Sequence, residues 1–385
     1  MAYLDHAAST PMRPVAVEAM APFLETHAAN PSGGHRAAQT AKNALEEARE
    51  RIATLLAAQP GEIVFTGGGS EGDNLAVKGA AWAALDRGDA DGVVTTGIEH
   101  KAVLGAAERL RRQGARVTIV PATPAGTVDL DLFAAALDDR TAVVSAMLVN
   151  NETGIVQPLG EIAALVRERS PRAVLHTDAV QAPQWLDVGR AAAGADLVAI
   201  SGHKFGGPKG VGVLVRRRGV ELVPLVEGGG HEWGLRAGTQ NVAGIVALAA
   251  ALAETHAHRE EEGARIGALR DRLERCLREA VPDLVVNGDP DLRVAGLLHV
   301  GIPGVEAETL LVALDQEGIE AASGSSCSSG AIDPSHVLVA MGLDPLVARS
   351  SVRFSLGYAS VPADIDAALA VVPRAVAGLR AATTV

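Results

Sequence analysis

Between Glu62 and Ile200 the chain repeats one pattern, a short apolar run followed by a stretch of helical spacing. Runs at 62–66, 93–96, 117–120, 142–148, 173–177 and 196–200 alternate with helix-length segments at 70–85, 101–113, 129–137 and 159–169. Alternation on this scale builds right-handed βαβ units, so the predicted fold class is α/β, with a mainly parallel sheet covered on both faces. Ligands of such sheets sit beyond the carboxyl ends of the strands. The polar residues that follow the runs therefore gather along one edge: Ser70, Glu99-His100, Asn150-Asn151-Glu152, Asp178-Gln181 and Ser201-His203-Lys204.

Lys204 stands out in this set. It leaves the run 196–200 into Gly206-Gly207-Pro208-Lys209-Gly210, and lysine is scarce, with Lys42, Lys78, Lys101 and Lys209 the only others. Arginine carries nearly all the positive charge and cannot form a Schiff base, so Lys204 occupies a place where arginine would not serve. Alone, a lysine in a glycine turn reads first as a solvated loop residue, and the rest of the chain must overturn that reading. A second turn, Gly67-Gly68-Gly69 after the run 62–66, has Ser70 as the expected N-cap of the next helix and offers free N–H groups to a phosphate.

Beyond Lys204 the pattern changes. Apolar runs at 211–215 and 222–226 predict antiparallel strands, and 228–241 is a polar, glycine-rich loop. A long helical segment follows at 243–280, and the remainder to 379 reads as a compact α+β unit. The expected division is a large domain over 15–258 and a small α+β domain formed by 1–14 and 259–385. The formal charge of −12 argues against direct binding to a nucleic-acid backbone or an anionic membrane surface. Two cysteines, Cys276 and Cys327, are too few for a disulfide framework and fit a reducing compartment. The start Met1-Ala2-Tyr3-Leu4-Asp5-His6 lacks a basic and apolar leader, and the expectation is a cytoplasmic protein without a membrane span.

If Lys204 carries an aldehyde cofactor, pyridoxal phosphate is the candidate, and its needs can be matched in turn. Asp178 could keep a ring nitrogen protonated, or cap a helix. His100 could stack on the ring, or be an ordinary satisfied histidine. Gly69, Ser70, Ser201 and His203 offer donors to a phosphate. Arg353, inside the apolar run 352–356, must meet an anion, since an unpaired buried guanidinium is costly. Cys327, amid glycine and serine in 322–330, sits where a reactive thiol fits, whereas Cys276 at helical spacing reads as structural. No metal is expected at the site.

In this order the pieces resemble the pyridoxal-phosphate-dependent cysteine desulfurases of the class V aminotransferase group, over essentially the whole chain. The resemblance is carried by Tyr3-Leu4-Asp5, Asn30-Pro31-Ser32, Glu99-His100, Asn151-Glu152-Thr153-Gly154, His176 to Gln181, Ser201-Gly202-His203-Lys204, Arg236-Ala237-Gly238-Thr239 and Ser351 to Gly357. This chain departs at the phosphate turn, with Gly69-Ser70 where the family usually has Ala-Thr, and with Asp73 in place of Asn. The resemblance implies the fold type I of pyridoxal-phosphate-dependent transferases, a seven-stranded sheet in the large domain, and a homodimer. It makes Lys204 the Schiff-base lysine, Asp178 the ring-nitrogen partner, Gln181 a donor to the phenolic oxygen and His100 the stacking group. Ser70, Ser201 and His203 would hold the phosphate with Thr239 of a second subunit, and Asn151 and Arg353 the substrate carboxylate. Cys327 lies in a segment similar to the longer cysteine loop of some members. It would take sulfur from L-cysteine as a persulfide, leaving L-alanine, and pass it to an acceptor protein serving iron–sulfur assembly, tRNA thiolation or DNA phosphorothioation. A class V aminotransferase or selenocysteine lyase is the alternative.

Overall fold

The computed structural model describes residues 1–88, 90–324 and 334–383. Seven strands form the central sheet in the spatial order Ile63–Thr66, Gly212–Arg216, Leu197–Ser201, Val174–Asp178, Thr141–Ser145, Gly92–Thr96 and Arg116–Val120. Every neighbouring pair is parallel except those of Gly212–Arg216, which runs antiparallel to both its neighbours. The other six therefore end on one edge. Four of them, Ile63–Thr66, Gly92–Thr96, Thr141–Ser145 and Leu197–Ser201, are buried along their whole length, as a sheet covered on both faces requires.

One apolar cluster lies on the face where Ile52, Phe133, Val166 and Leu248 pack, and a second on the opposite face, where the helix Gly69–Arg87 buries Leu75, Ala76, Ala80 and Ala84. Aromatic residues make up only 3% of the chain, so alanine, valine and leucine fill these layers and let helices approach the sheet closely. A third cluster sits on the small antiparallel sheet of Val285–Val286, Leu297–Gly301 and Ser351–Ser355. It also takes in Ala2 and Leu4, next to the two-residue pairing of Ala2–Tyr3 with Ile319–Glu320.

The helix Val242–Ala280 serves two clusters. Ile245, Leu248 and Leu252 pack into the first, while Ile266, Leu269, Leu273 and Leu277 form an apolar stripe on the third. No helix among the described residues is long and apolar enough to cross a membrane.

Two local expectations fail. Leu222 to Val226 makes no strand, only an isolated bridge from Val226 to Arg236. Its backbone is satisfied differently: Val223 N–H donates to the Gly79 carbonyl at 3.1 Å, and Gly79 permits the approach because a Cβ there would lie 2.8 Å from the Val223 oxygen. Ser70 is not an N-cap either. That position belongs to Gly68, at φ 141°, a conformation that side chains rarely adopt, and Ser70 falls inside the helix.

Candidate active site

The carboxyl edge of the sheet opens into a cavity of about 590 Å³. Gly69, Ser70, His100, Asn151, Asp178, Gln181, Ser201, His203, Lys204 and Arg353 all line it, so ten residues expected from the sequence converge on one space. Thr239 does not line it and is exposed in the loop after Arg236. Cys327 lies outside the described residues, but Gly324 lines the cavity three positions earlier.

Lys204 sits in a single 3₁₀ turn directly after the strand Leu197–Ser201. Its Nζ donates to the carbonyl oxygens of Ala7 at 2.6 Å and Ala8 at 3.0 Å. Gln181 Nε2 donates to the same Ala7 oxygen at 2.8 Å. The amino-terminal segment thus forms a wall of the site, a role that its own sequence did not signal.

Asp178 ends the strand Val174–Asp178, is 5% exposed, and accepts Val180 N–H at 2.9 Å. Burial pushes its pKa up, while His100, the Val180 bond and Lys204 pull it back. His100 caps the helix Lys101–Arg112, its Nδ1 accepting from Ala102 N–H at 3.1 Å. Burial lowers the pKa of its imidazole. His203 is held down to about 4, by burial first and then by Lys204 and Lys209, so it is neutral at physiological pH.

At the phosphate turn the helix Gly69–Arg87 starts without a side-chain cap, leaving its first N–H groups toward the cavity. Glu71 folds back to accept Gly67 N–H at 2.8 Å and pairs with Arg236 at 2.9 Å. The Arg-Ala-Gly-Thr segment is thereby tied to this turn. Gly69 itself leaves no room for a methyl group, since a Cβ would lie 2.6 Å from Val180 Cγ2. In this chain the glycine at the departure from Ala-Thr is therefore set by Val180.

The buried Arg353 does meet an anion, and it is the chain's own Asp5, at 2.7 Å from Nη2. Nη1 donates to the Asn151 carbonyl at 2.7 Å, while Nε has no partner. Asn151 Oδ1 is likewise buried and unpartnered. Asn150 turns away, donating from Nδ2 to the Ile98 carbonyl and accepting Glu152 and Thr153 N–H at 2.9 Å each. Asp5 belongs to a motif visible in the sequence, although nothing there marked it as the partner of Arg353. Asp73, whose Oδ1 is also unpartnered, lines the cavity beside Asp178.

These groups fit pyridoxal phosphate: an uncapped helix start with Ser70, Ser201 and His203 for the phosphate, a buried acid for a ring nitrogen, and the Lys204 amine in the same cavity. The orphaned Asn151 Oδ1 and Arg353 Nε are the features of a site completed by a polar ligand.

The class-V aminotransferase family model matches residues 2–368. The chain is 46% identical to the IscS-like cysteine desulfurase of Mycobacterium tuberculosis over 99% of its length and 98% of the relative's. It is 43% identical to the cysteine desulfurase of Trichormus azollae, over 98% and 94%. Among solved structures, a NifS-like protein matches with TM-score 0.90 and 31% identity, each chain covered completely at 100%. DndA from Streptomyces lividans matches with TM-score 0.77 and 35% identity, over 92% of this chain and 99% of that one. The chain belongs to the class-V aminotransferase family, in its cysteine desulfurase branch.

Proposed function

We propose that the protein removes sulfur from L-cysteine through pyridoxal phosphate held in this cavity, and that Cys327 receives the sulfur. The observation that carries the reading is the convergence of Lys204, Asp178 and Arg353 on a cavity that Gly324 also lines. Cys327 follows Gly324 by three positions in the chain.

Bound there, the cofactor would supply an aldehyde for amines and a cationic ring that draws electrons from the substrate's Cα. Asp178 supplies the negative charge that favours a protonated ring nitrogen. Ser70, Ser201 and His203 would hold the phosphate, with Thr239 of a second subunit completing it in a homodimer. Neutral His203 can donate one hydrogen bond without adding charge. Arg353, oriented by Asp5 and the Asn151 carbonyl, would take the substrate carboxylate through Nε together with the Asn151 side chain.

The Lys204 amine would remove the Cα proton and return it. His100, whose pKa burial lowers, would pass protons near the departing sulfur from the same cavity. The Cys327 thiolate attacks that sulfur, so an S–S bond forms as the substrate's Cβ–S bond breaks. The electron pair left on carbon takes up a proton, and the products are L-alanine and a Cys327 persulfide. The exchange is redox-neutral, one sulfhydryl gaining the sulfur that the other loses.

The persulfide would then pass to an acceptor protein, in iron–sulfur assembly, tRNA thiolation or DNA phosphorothioation. The acidic balance of the chain suits an acceptor that is a protein better than direct contact with nucleic acid. Mass spectrometry of the holoenzyme after L-cysteine tests the reading. Cys327 is expected to gain one sulfur atom that a reductant removes, and Cys276 none. A Cys327 that stays unmodified while L-cysteine is consumed would overturn it.

A further inference from the structure

Asp73 projects from the first turns of the helix Gly69–Arg87 into the cavity. It is 1% exposed, and its Oδ1 has no hydrogen-bond partner. One oxygen of Asp73, one of Asp178 and one ring nitrogen of His100 lie within 4.8 Å of one another. Two buried carboxyl groups this close resist ionising together, which favours one proton held by the pair.

The surroundings decide where it resides. Asp178 has the Val180 N–H at 2.9 Å and the attraction of Lys204, whereas His100 lies within 4.8 Å of both acids and favours neither. Asp73 faces Asp178 on the neighbouring strand, Glu99 from the turn before helix Lys101–Arg112, and His176. None of these gives it a cation. His176 Nε2 stands 3.5 Å from Asp73 Oδ1, and burial holds that imidazole down to about 3, so it is neutral. Its Nδ1 is engaged by Ser145 Oγ at 2.9 Å, and Ser145 reaches Glu99 in turn. Burial and the two neighbouring carboxylates push Asp73 well above the usual carboxylate range, in the same direction as the geometry.

We propose that Asp73 keeps the single proton of the pair and so confines its one negative charge to Asp178, which makes Asp73 a positioning residue for the acid facing the ring nitrogen. The role toward the ring rests on the cofactor reading above; the protonated pair does not. A neutral Asp73 keeps the charge behind the ring at one, whether or not the site is loaded. Its ionisation in alkali would place a second charge there and strengthen the hold on the ring proton.

Infrared spectroscopy of the full-length protein, with and without pyridoxal phosphate, tests the assignment. At neutral pH the wild type is expected to show the carbonyl stretch of a protonated carboxyl in both forms. Glu99, raised to about 8, adds a carboxyl signal of its own, so the Asp73 band is read in the Glu99→Gln background, where adding Asp73→Asn is expected to remove it. In the loaded form the cofactor absorbance should shift in alkali in step with loss of the band, and Asp73→Asn should lack that shift. No loss of carboxyl absorbance when Asp73→Asn is added to Glu99→Gln would overturn the proposal. Should that variant not fold, titration of the Glu99→Gln protein decides it, because the lack of any protonated carboxyl at neutral pH would overturn the proposal equally. A protein that shows the band yet binds no cofactor would refute the cofactor reading and leave the acid pair standing.

Discussion

Gly69 and Val180 show how closely individual residues set this site. The 2.6 Å approach that a Cβ at Gly69 would make to Val180 Cγ2 involves a β-branched side chain with little rotameric freedom. Gly69→Ala should therefore cost about 1–3 kcal/mol of stability through overpacking. It should also weaken retention of pyridoxal phosphate, and Gly69→Ala combined with Val180→Ala should recover most of both. Denaturant midpoints and cofactor release on dilution measure the two effects; a fully tolerated Gly69→Ala would contradict the packing argument. At this scale the sequence is legible where chemistry is tied to position in the chain. Lys204, Asp178 and His100 follow apolar runs, so the strand-end rule found them. The Ala7 and Ala8 carbonyls under Lys204, Asp5 beside Arg353, and Asp73 beside Asp178 are long-range contacts made by groups with no local signal.

The segment from Gly228 to Asn241 is the element in which local and distant forces most nearly conflict. Glu232 and Trp233 both hold positive φ, 48° and 56°, which side chains disfavour. They are kept there by a buried ion pair: Glu232 accepts Arg49 Nη1 at 2.9 Å, Nη2 at 3.0 Å, and Phe65 N–H at 3.0 Å. Arg49 also lies over the rings of Phe65 and Trp233. Removing Glu232 leaves the buried Arg49 with Glu46 at 3.0 Å and the Ile63 carbonyl but an unpaired Nη2, so Glu232→Ala should destabilise the protein by about 1–3 kcal/mol. Because Arg236 in the same segment pairs with Glu71 at the phosphate turn, the variant should also release cofactor faster than wild type. A stability loss within error of zero would show that the ion pair does not hold the segment. The sequence marked this stretch as a polar loop but could not supply its conformation, which depends on Arg49, far away in the chain. The failed strand at Leu222 to Val226 has the same origin, since its backbone bonds to a helix carbonyl in place of a ladder.

Across the whole molecule, the α/β reading succeeded because period and order are written locally, and seven of the eight apolar runs read as strands up to Val226 occupy the seven strands of one sheet. The buried acids beneath that sheet have a pH consequence. Burial raises Glu99 from its ordinary 4.5 to about 8, despite the bonds from Thr96 and Met147 that favour its anion. A raised folded-state pKa means that the native protein binds the extra proton. Its contribution to stability is full below about pH 4.5 and is lost as pH rises through about 8. Unfolding of the cofactor-free protein should therefore become easier across that window, and Glu99→Gln should flatten the slope. An unchanged slope in Glu99→Gln would assign the dependence to other groups. The central claim, desulfuration through Cys327, is tested most directly by alanine released from L-cysteine in the presence of a reductant, with wild type and Cys327→Ala side by side. Alanine formation that disappears in the variant, whose cofactor absorbance stays intact, is the predicted result; a fully active variant, or amino-group transfer to a keto acid without alanine from either protein, would contradict it.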